Sequence, residues 1–117
     1  MRVAPELPVD NMSEALQHYE TKFGFRVVMK MPEGDYAIVE REGVALHPFE
    51  NHSRDLSPGS IHIFASGLDD LLSEFETRGA QITQTIVRQP WSNRDFRAVD
   101  SSGNAIKFTE PVGSKSN

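Results

Sequence analysis

A chain of 117 residues is long enough to bury the core of one domain and too short for two independent ones. Its composition, 38% hydrophobic and 25% charged, is ordinary for a globular protein, and no apolar run approaches the roughly 20 residues that span a bilayer. The net charge of −5 argues against binding a nucleic-acid backbone. The absence of cysteine excludes a disulfide framework and thiolate chemistry and, with no signal-peptide pattern in residues 1–6, fits a cytoplasmic location.

Residues 2–9 alternate loosely around Pro5 and Pro8, which predicts a short or edge strand. Asp10, Asn11 and Ser13 offer helix-capping side chains, and Ala15, Leu16, Tyr19 and Phe23 recur at helical spacing until Gly24. The β-branched and apolar run 25–31 predicts a strand. Residues 32–34 form a turn, and 36–39 with 44–49 make a hairpin through Arg41, Glu42 and Gly43. Residues 50–59 have the polar, Pro- and Gly-punctuated composition of a connector. A strand follows over 60–66, then a helix from Gly67 or Leu68 to Arg78 with Leu68, Leu71, Leu72 and Phe75 on one face and Gly79 at its end. Residues 80–88 predict another strand. The alternating residues Phe96 and Ala98, then 105–108, form a last hairpin around Asp100, Ser101, Ser102, Gly103 and Asn104. Beyond Pro111 the tail is expected to fray.

The two halves repeat. Residues 35–47 lie on 95–107 without a gap at a shift of 60, matching Asp35 with Asp95, Tyr36 with Phe96 and Gly43 with Gly103. Residues 16–22 lie on 72–78 at a shift of 56, matching Tyr19 with Phe75. Each half reads β-α-β-β-β, so the chain is a tandem duplication within one domain: module one over about 2–49, connector 50–59, module two over about 60–110 and tail 111–117.

Paired modules of this order, with a helix running out through Tyr19, Phe23, Gly24 and Phe25 and a last hairpin of Asp100-x-x-Gly103-Asn104 type, resemble the vicinal oxygen chelate superfamily. That superfamily includes glyoxalase I, extradiol dioxygenases and fosfomycin- and bleomycin-resistance proteins. Gln89, Pro90 and Trp91 followed by Arg94-x-Phe96 look most like the bleomycin-resistance branch. The resemblance implies an α+β fold in which the two modules form a curved mixed sheet with helices outside. It further implies a homodimer whose ligand groove lies between module one of one subunit and module two of the other.

In metal-dependent members each module gives one ligand from its first strand and one from its last. Those positions fall here on Ala4, Ser60, His47 and Lys107, of which only His47 suits a divalent ion, and a lysine ammonium would repel one. No metal or other cofactor is therefore expected. A shifted register that recruits Glu6 and His62 beside His47 is the one arrangement that restores a metal site, and with it a metal-dependent lyase, isomerase, transferase or dioxygenase.

Strand phase gives the positive reading. If Leu7, Val9, Ile61 and Ile63 pack under the helices, then Glu6, His62 and Phe64 face the concave side, with His47 and Lys107 beside them, making a polar and aromatic pocket. Each histidine has a plainer reading as a hydrogen-bonded filler, and Lys107 as a residue reaching to solvent. Trp91, the sole tryptophan, is either a buried anchor of its loop or, as the resemblance implies, a stacking wall for a flat or cationic ligand, with Tyr36 opposite. Ser92-Asn93 and Ser101-Ser102 depart from the branch's usual glycine and proline-containing turn, and no acidic cluster maps onto its groove. No phosphate loop or nucleophile elbow is present. The expected function is non-catalytic sequestration of a bleomycin-like antibiotic, without nucleic-acid or membrane partners.

Overall fold

A computed structural model describes residues 1–53, 55–91 and 93–111. The tail beyond Pro111 and Ser92 in the loop after Trp91 lie outside the described residues. The first module contains β1 (Glu6–Val9), α1 (Met12–Lys22), β2 (Arg26–Lys30), β3 (Ala37–Arg41) and β4 (Val44–Glu50). The second contains β5 (Ser60–Phe64), α2 (Leu68–Arg78), β6 (Gln81–Arg88), β7 (Arg94–Val99) and β8 (Ala105–Glu110).

The two helices begin differently. At α1 the Asn11 side chain accepts the Glu14 backbone N–H at 2.9 Å, satisfying one of the donors left over at a helix start. At α2 the preceding residue is Gly67, with no side-chain cap, and Asp69 and Asp70 in the first turn supply negative charge to the same end. α2 closes at Gly79, whose φ of 81° and N–H to the Glu76 carbonyl, together with Ala80 N–H to the Phe75 carbonyl, make a left-handed stop.

The mixed sheet is built as two four-stranded halves, ordered β1-β4-β3-β2 and β5-β8-β7-β6. In each, the first strand pairs parallel with the last and the others pair antiparallel. Equivalent residues stand side by side in the two modules: Glu6 opposite His47 in one, His62 opposite Lys107 in the other. Strand alternation then sorts the faces. Leu7, Val9, Leu46, Phe96, Ala98, Ile106 and Phe108 go to the core, and Ile61 and Ile63 pack against it. Glu6, His47, His62 and Lys107 are left on the opposite face.

One core runs through both modules. Tyr19, Phe23, Phe75 and Phe96 are fully buried, and the Phe23 and Phe75 rings meet at 5.3 Å across the module boundary. Each module's β-hairpin turn then grips the other module's helix. Tyr19 Oη of α1 donates to Asp100 Oδ2 at 2.9 Å, while Arg41 donates to both Glu74 carboxylate oxygens of α2 at 2.7 Å and to the Phe23 carbonyl at 2.8 Å. Tyr19 matches Phe75, next to Glu74, at the helix shift and Arg41 matches Ser101, next to Asp100, at the hairpin shift, so the two clasps occupy neighbouring, not identical, repeat positions and use different chemistry. Gly24 makes room for the second: a Cβ there would lie 2.6 Å from Arg41 Nη1.

The Asp100–Asn104 turn is the hub of the other clasp. Asp100 Oδ1 accepts the backbone N–H groups of Ser102 and Asn104, and the buried Asn104 amide donates to Asp100 Oδ2 and to the Pro8 carbonyl. Asn104 Oδ1 accepts the Gly59 N–H at 2.6 Å. The motif ties the start of β5 and the end of β1 to the second hairpin.

Candidate functional site

In the first module three polar side chains converge on the face away from the helices. Tyr36 Oη donates to Glu6 Oε2 at 2.9 Å and lies 2.8 Å from His47 Nδ1, with the two rings edge-on at 5.7 Å. A phenol has one proton to give. That proton goes to the Glu6 carboxylate, so the phenol oxygen is left as acceptor and the histidine contact is completed by an Nδ1–H. Desolvation, then the hydrogen bond to Glu6 and its charge, push the Tyr36 phenol above its usual range.

In the second module His62 stacks on Phe64, ring centres 4.4 Å apart, and its Nε2 meets Thr109 Oγ1 at 2.6 Å. Phe64 is 62% exposed, an unusual state for a large apolar ring. Burial first, then the charge of Lys107, lowers the His62 pKa, so the ring stays neutral to lower pH than a free histidine. Lys107 Nζ lies 3.9 Å from Asp95 Oδ2, and Asp95, 1% exposed, also accepts from Gln84 Nε2 at 2.7 Å and Gln89 Nε2 at 2.9 Å.

The structure thus gathers Glu6, Tyr36 and His47 into one group and His62, Phe64 and Lys107 into another, on separate half-sheets. Both histidines have hydrogen-bond partners, and Lys107 stands beside the buried Asp95 carboxylate instead of reaching freely to solvent. Trp91 belongs to neither group: it is 60% exposed in a loop closed by Gln89 N–H to the Asn93 carbonyl at 2.7 Å, so it is no buried anchor. Asp95, Arg97, Thr109 and Gln84 are additions that sequence reasoning missed. The signal for the two on β7 was available, since Phe96 and Ala98 inside put Asp95 and Arg97 on the other face. Between the modules opens a cleft of about 260 Å³, lined by Phe25, Arg41 and Val44 from one side and Ile63, Phe64 and Phe75 from the other.

Within one chain Glu6, His47 and His62 are not brought together. Tyr36 Oη bridges Glu6 and His47, and His62 sits on the other half-sheet bonded to Thr109. Among the described residues no three of His, Asp or Glu come together as a metal-holding group within the chain. Among the described residues no helix is long and apolar enough to cross a membrane.

Comparison with known proteins fits this architecture. A bleomycin resistance protein of Geobacillus stearothermophilus is 27% identical over 130 aligned positions, covering 94% of this chain and 96% of that one. Among solved structures, a bleomycin resistance determinant encoded on the transposon Tn5 superposes with a TM-score of 0.84 at 20% identity, covering 96% of this chain and 98% of the other. A bleomycin-binding protein complexed with bleomycin gives 0.81 at 20% identity, with 95% and 98% covered. The sequence profile of one family matches residues 2–108, nearly the whole of the duplicated region. The chain is a member of the Glyoxalase/Bleomycin resistance protein/Dioxygenase superfamily.

Proposed function

We propose that this protein is a non-catalytic small-molecule binding protein of the bleomycin-resistance type, which sequesters a flat, cationic antibiotic in a groove completed by a second copy of the chain. The observation that carries the reading is the Glu6–Tyr36–His47 group. It presents a carboxylate and an aromatic ring, held in place by two short hydrogen bonds, on a sheet face outside the core. Such a surface attracts a cationic group and stacks against a flat one, each contact contributing about 0.5 to 2 kcal/mol depending on desolvation. His62 and Phe64 supply a second stacking surface, Lys107 a hydrogen-bond donor, and the exposed Trp91 a movable wall. A binding protein of this kind leaves the drug chemically unchanged, so protection scales with its abundance.

The curated relative named a bleomycin resistance protein and the fold shared with a bleomycin-bound protein support the ligand class. The separation of the two groups on different half-sheets supports a groove that needs a second subunit, with two equivalent sites per symmetric dimer. The test is a fluorescence titration of chelator-treated protein with metal-free and copper-loaded bleomycin, Trp91 serving as the sole tryptophan reporter. Saturable quenching at about one ligand per chain is expected from the two-fold arrangement. No response to either form removes bleomycin as the ligand.

A further inference from the structure

The face of the second module carries more positive charge than the proposed function uses. β5, β8 and β7 set His62, Lys107 and Arg97 directly opposite one another, and Gln84 of β6 continues the row. Ile106, Phe108, Phe96 and Ala98 are all buried in the core, so the alternate residues Lys107 and Arg97 share the face that His62 occupies. Like charges opposed on adjacent strands repel, and such a pair persists in a sheet only where something offsets it.

The chain supplies half of that offset. Asp95 is the carboxylate at hand, but it is nearly inaccessible, accepts from Gln84 and Gln89, and stands 3.9 Å from Lys107, the limit of an ion pair. Arg97 makes no ion pair among the described residues; its electrostatic trace is on His62, whose protonation both it and Lys107 disfavour while Asp95 favours it. One carboxylate stands against two fixed cations. At the end of the row the exposed Phe64 ring lies stacked on His62. An apolar plane at one end of a row that carries a lysine ammonium and, at the other end, a guanidinium with no ion pair among the described residues is the complement of an aromatic ring bearing an oxyanion, which a guanidinium can hold through two parallel N–H···O bonds.

We infer that the His62–Lys107–Arg97 row is an anion site, and that the ligand of this protein carries a carboxylate or similar oxyanion attached to its flat ring system. The inference deepens the binding-protein reading and rests on it: with Glu6 on the first module's face taking a cationic group, the ligand is amphoteric, with acid and base at opposite ends.

The experiment uses one ring in three charge states. Chelator-treated protein, with the R97Q and K107Q variants, is titrated by calorimetry with 2-naphthoate, 2-naphthamide and 2-naphthylmethylammonium. Naphthoate is expected to bind about tenfold tighter than the amide, as a charge-assisted contact requires, and to weaken as salt is raised. Each variant is expected to erase most of that preference, read as the ratio of naphthoate to amide affinity within the same variant. Both side chains lie off the core, so the variants should keep the wild-type circular dichroism; if one does not fold, the other carries the test. Ammonium binding tightest, with naphthoate no better than the amide, overturns the anion site and leaves the binding-protein reading standing. Failure of all three probes overturns the anion site, while the binding-protein reading stands or falls by the bleomycin titration. Naphthoate affinity unchanged in R97Q while the variant sediments differently from wild type assigns the row to subunit contact and overturns the inference.

Discussion

Trp91 and His18 show opposite relations between a side chain and its surroundings. The Trp91 ring is mostly in solvent, so its removal deprives the core of nothing. Trp91→Ala is expected to leave the denaturation midpoint within the error of surface substitutions and to weaken antibiotic binding at least several-fold, read by calorimetry because the reporter is lost. Unfolding of this variant in place of a soluble, binding-deficient form would contradict the groove reading.

His18 faces the other way, from α1 towards the second hairpin. Its Nε2 is buried without a hydrogen-bond partner among the described residues, and its ring lies edge-on to Phe23 at 5.0 Å. Burial is the largest influence and lowers its pKa, with nearby Lys22 acting the same way, against Asp100 and the Val99 carbonyl. A histidine whose folded pKa is depressed binds its proton more readily when unfolded. Its contribution is therefore intact above the unfolded value near 6.5 and is lost as pH falls through that value towards the folded one. Melting temperature is expected to fall on acidification across this window, less steeply in His18→Gln; His62, lowered in the same sense, supplies the remainder. An identical slope in the variant would remove His18 from the account.

At the scale of elements, the Asp100–Asn104 turn shows what the sequence tells and what it withholds. Its composition announces a hairpin, and a hairpin between β7 and β8 is what forms. Nothing in those residues announces that Asn104 reaches back to the Pro8 carbonyl, because that partner comes from 96 positions away and is fixed only by packing. Asn104→Ala would leave the Gly59 N–H and the Pro8 carbonyl without their side-chain partner in a buried setting. A loss of about 2 to 4 kcal/mol in urea denaturation is expected, since several bonds to a buried amide are broken together. A loss under about 0.5 kcal/mol would make the turn a local feature only. The helices and strands themselves were legible from periodicity and punctuation, and the strand phase placed Glu6, His47, His62 and Lys107 on one side. The grouping of Asp95 with Gln84 and Gln89 was not, because a buried carboxylate reads in sequence as one more polar residue of an alternating strand.

The whole molecule measures 47 × 28 × 28 Å, an elongated body of two modules joined through one aromatic core and two clasps. The Arg41–Glu74 clasp is the acid-sensitive one. Hydrogen bonds from Arg41 are the largest influence on Glu74, followed by opposing desolvation and then support from Arg78; together they hold its carboxyl at about 2 rather than 4.5. A carboxyl depressed in this way contributes stability above its unfolded pKa, and the contribution is lost as pH falls from about 4.5 towards about 2. Glu74→Gln is expected to flatten the acid limb of the stability profile over that window. Arg41→Met and Glu74→Gln, combined, should show a coupling of about 1 to 3 kcal/mol in a double-mutant cycle, because each alone removes the two-pronged contact while the remaining partner keeps only its other bonds, Glu74 to Arg78 or Arg41 to Glu42 and the Phe23 carbonyl. Strict additivity would mean that the clasp does not join the modules.

The duplication was readable at the level of this whole body from two constant shifts, 56 and 60, yet neither shift revealed that the repeats embrace reciprocally. Helix of one against turn of the other, and the same again in reverse, is the pattern of an isologous contact, the kind two identical partners make about a two-fold axis. Its two halves differ in chemistry, one a buried phenol–carboxylate pair and the other a guanidinium–carboxylate pair. The interface inside this single chain therefore has the form of a homodimer's, except that one polypeptide supplies both partners and so nothing requires its two halves to match.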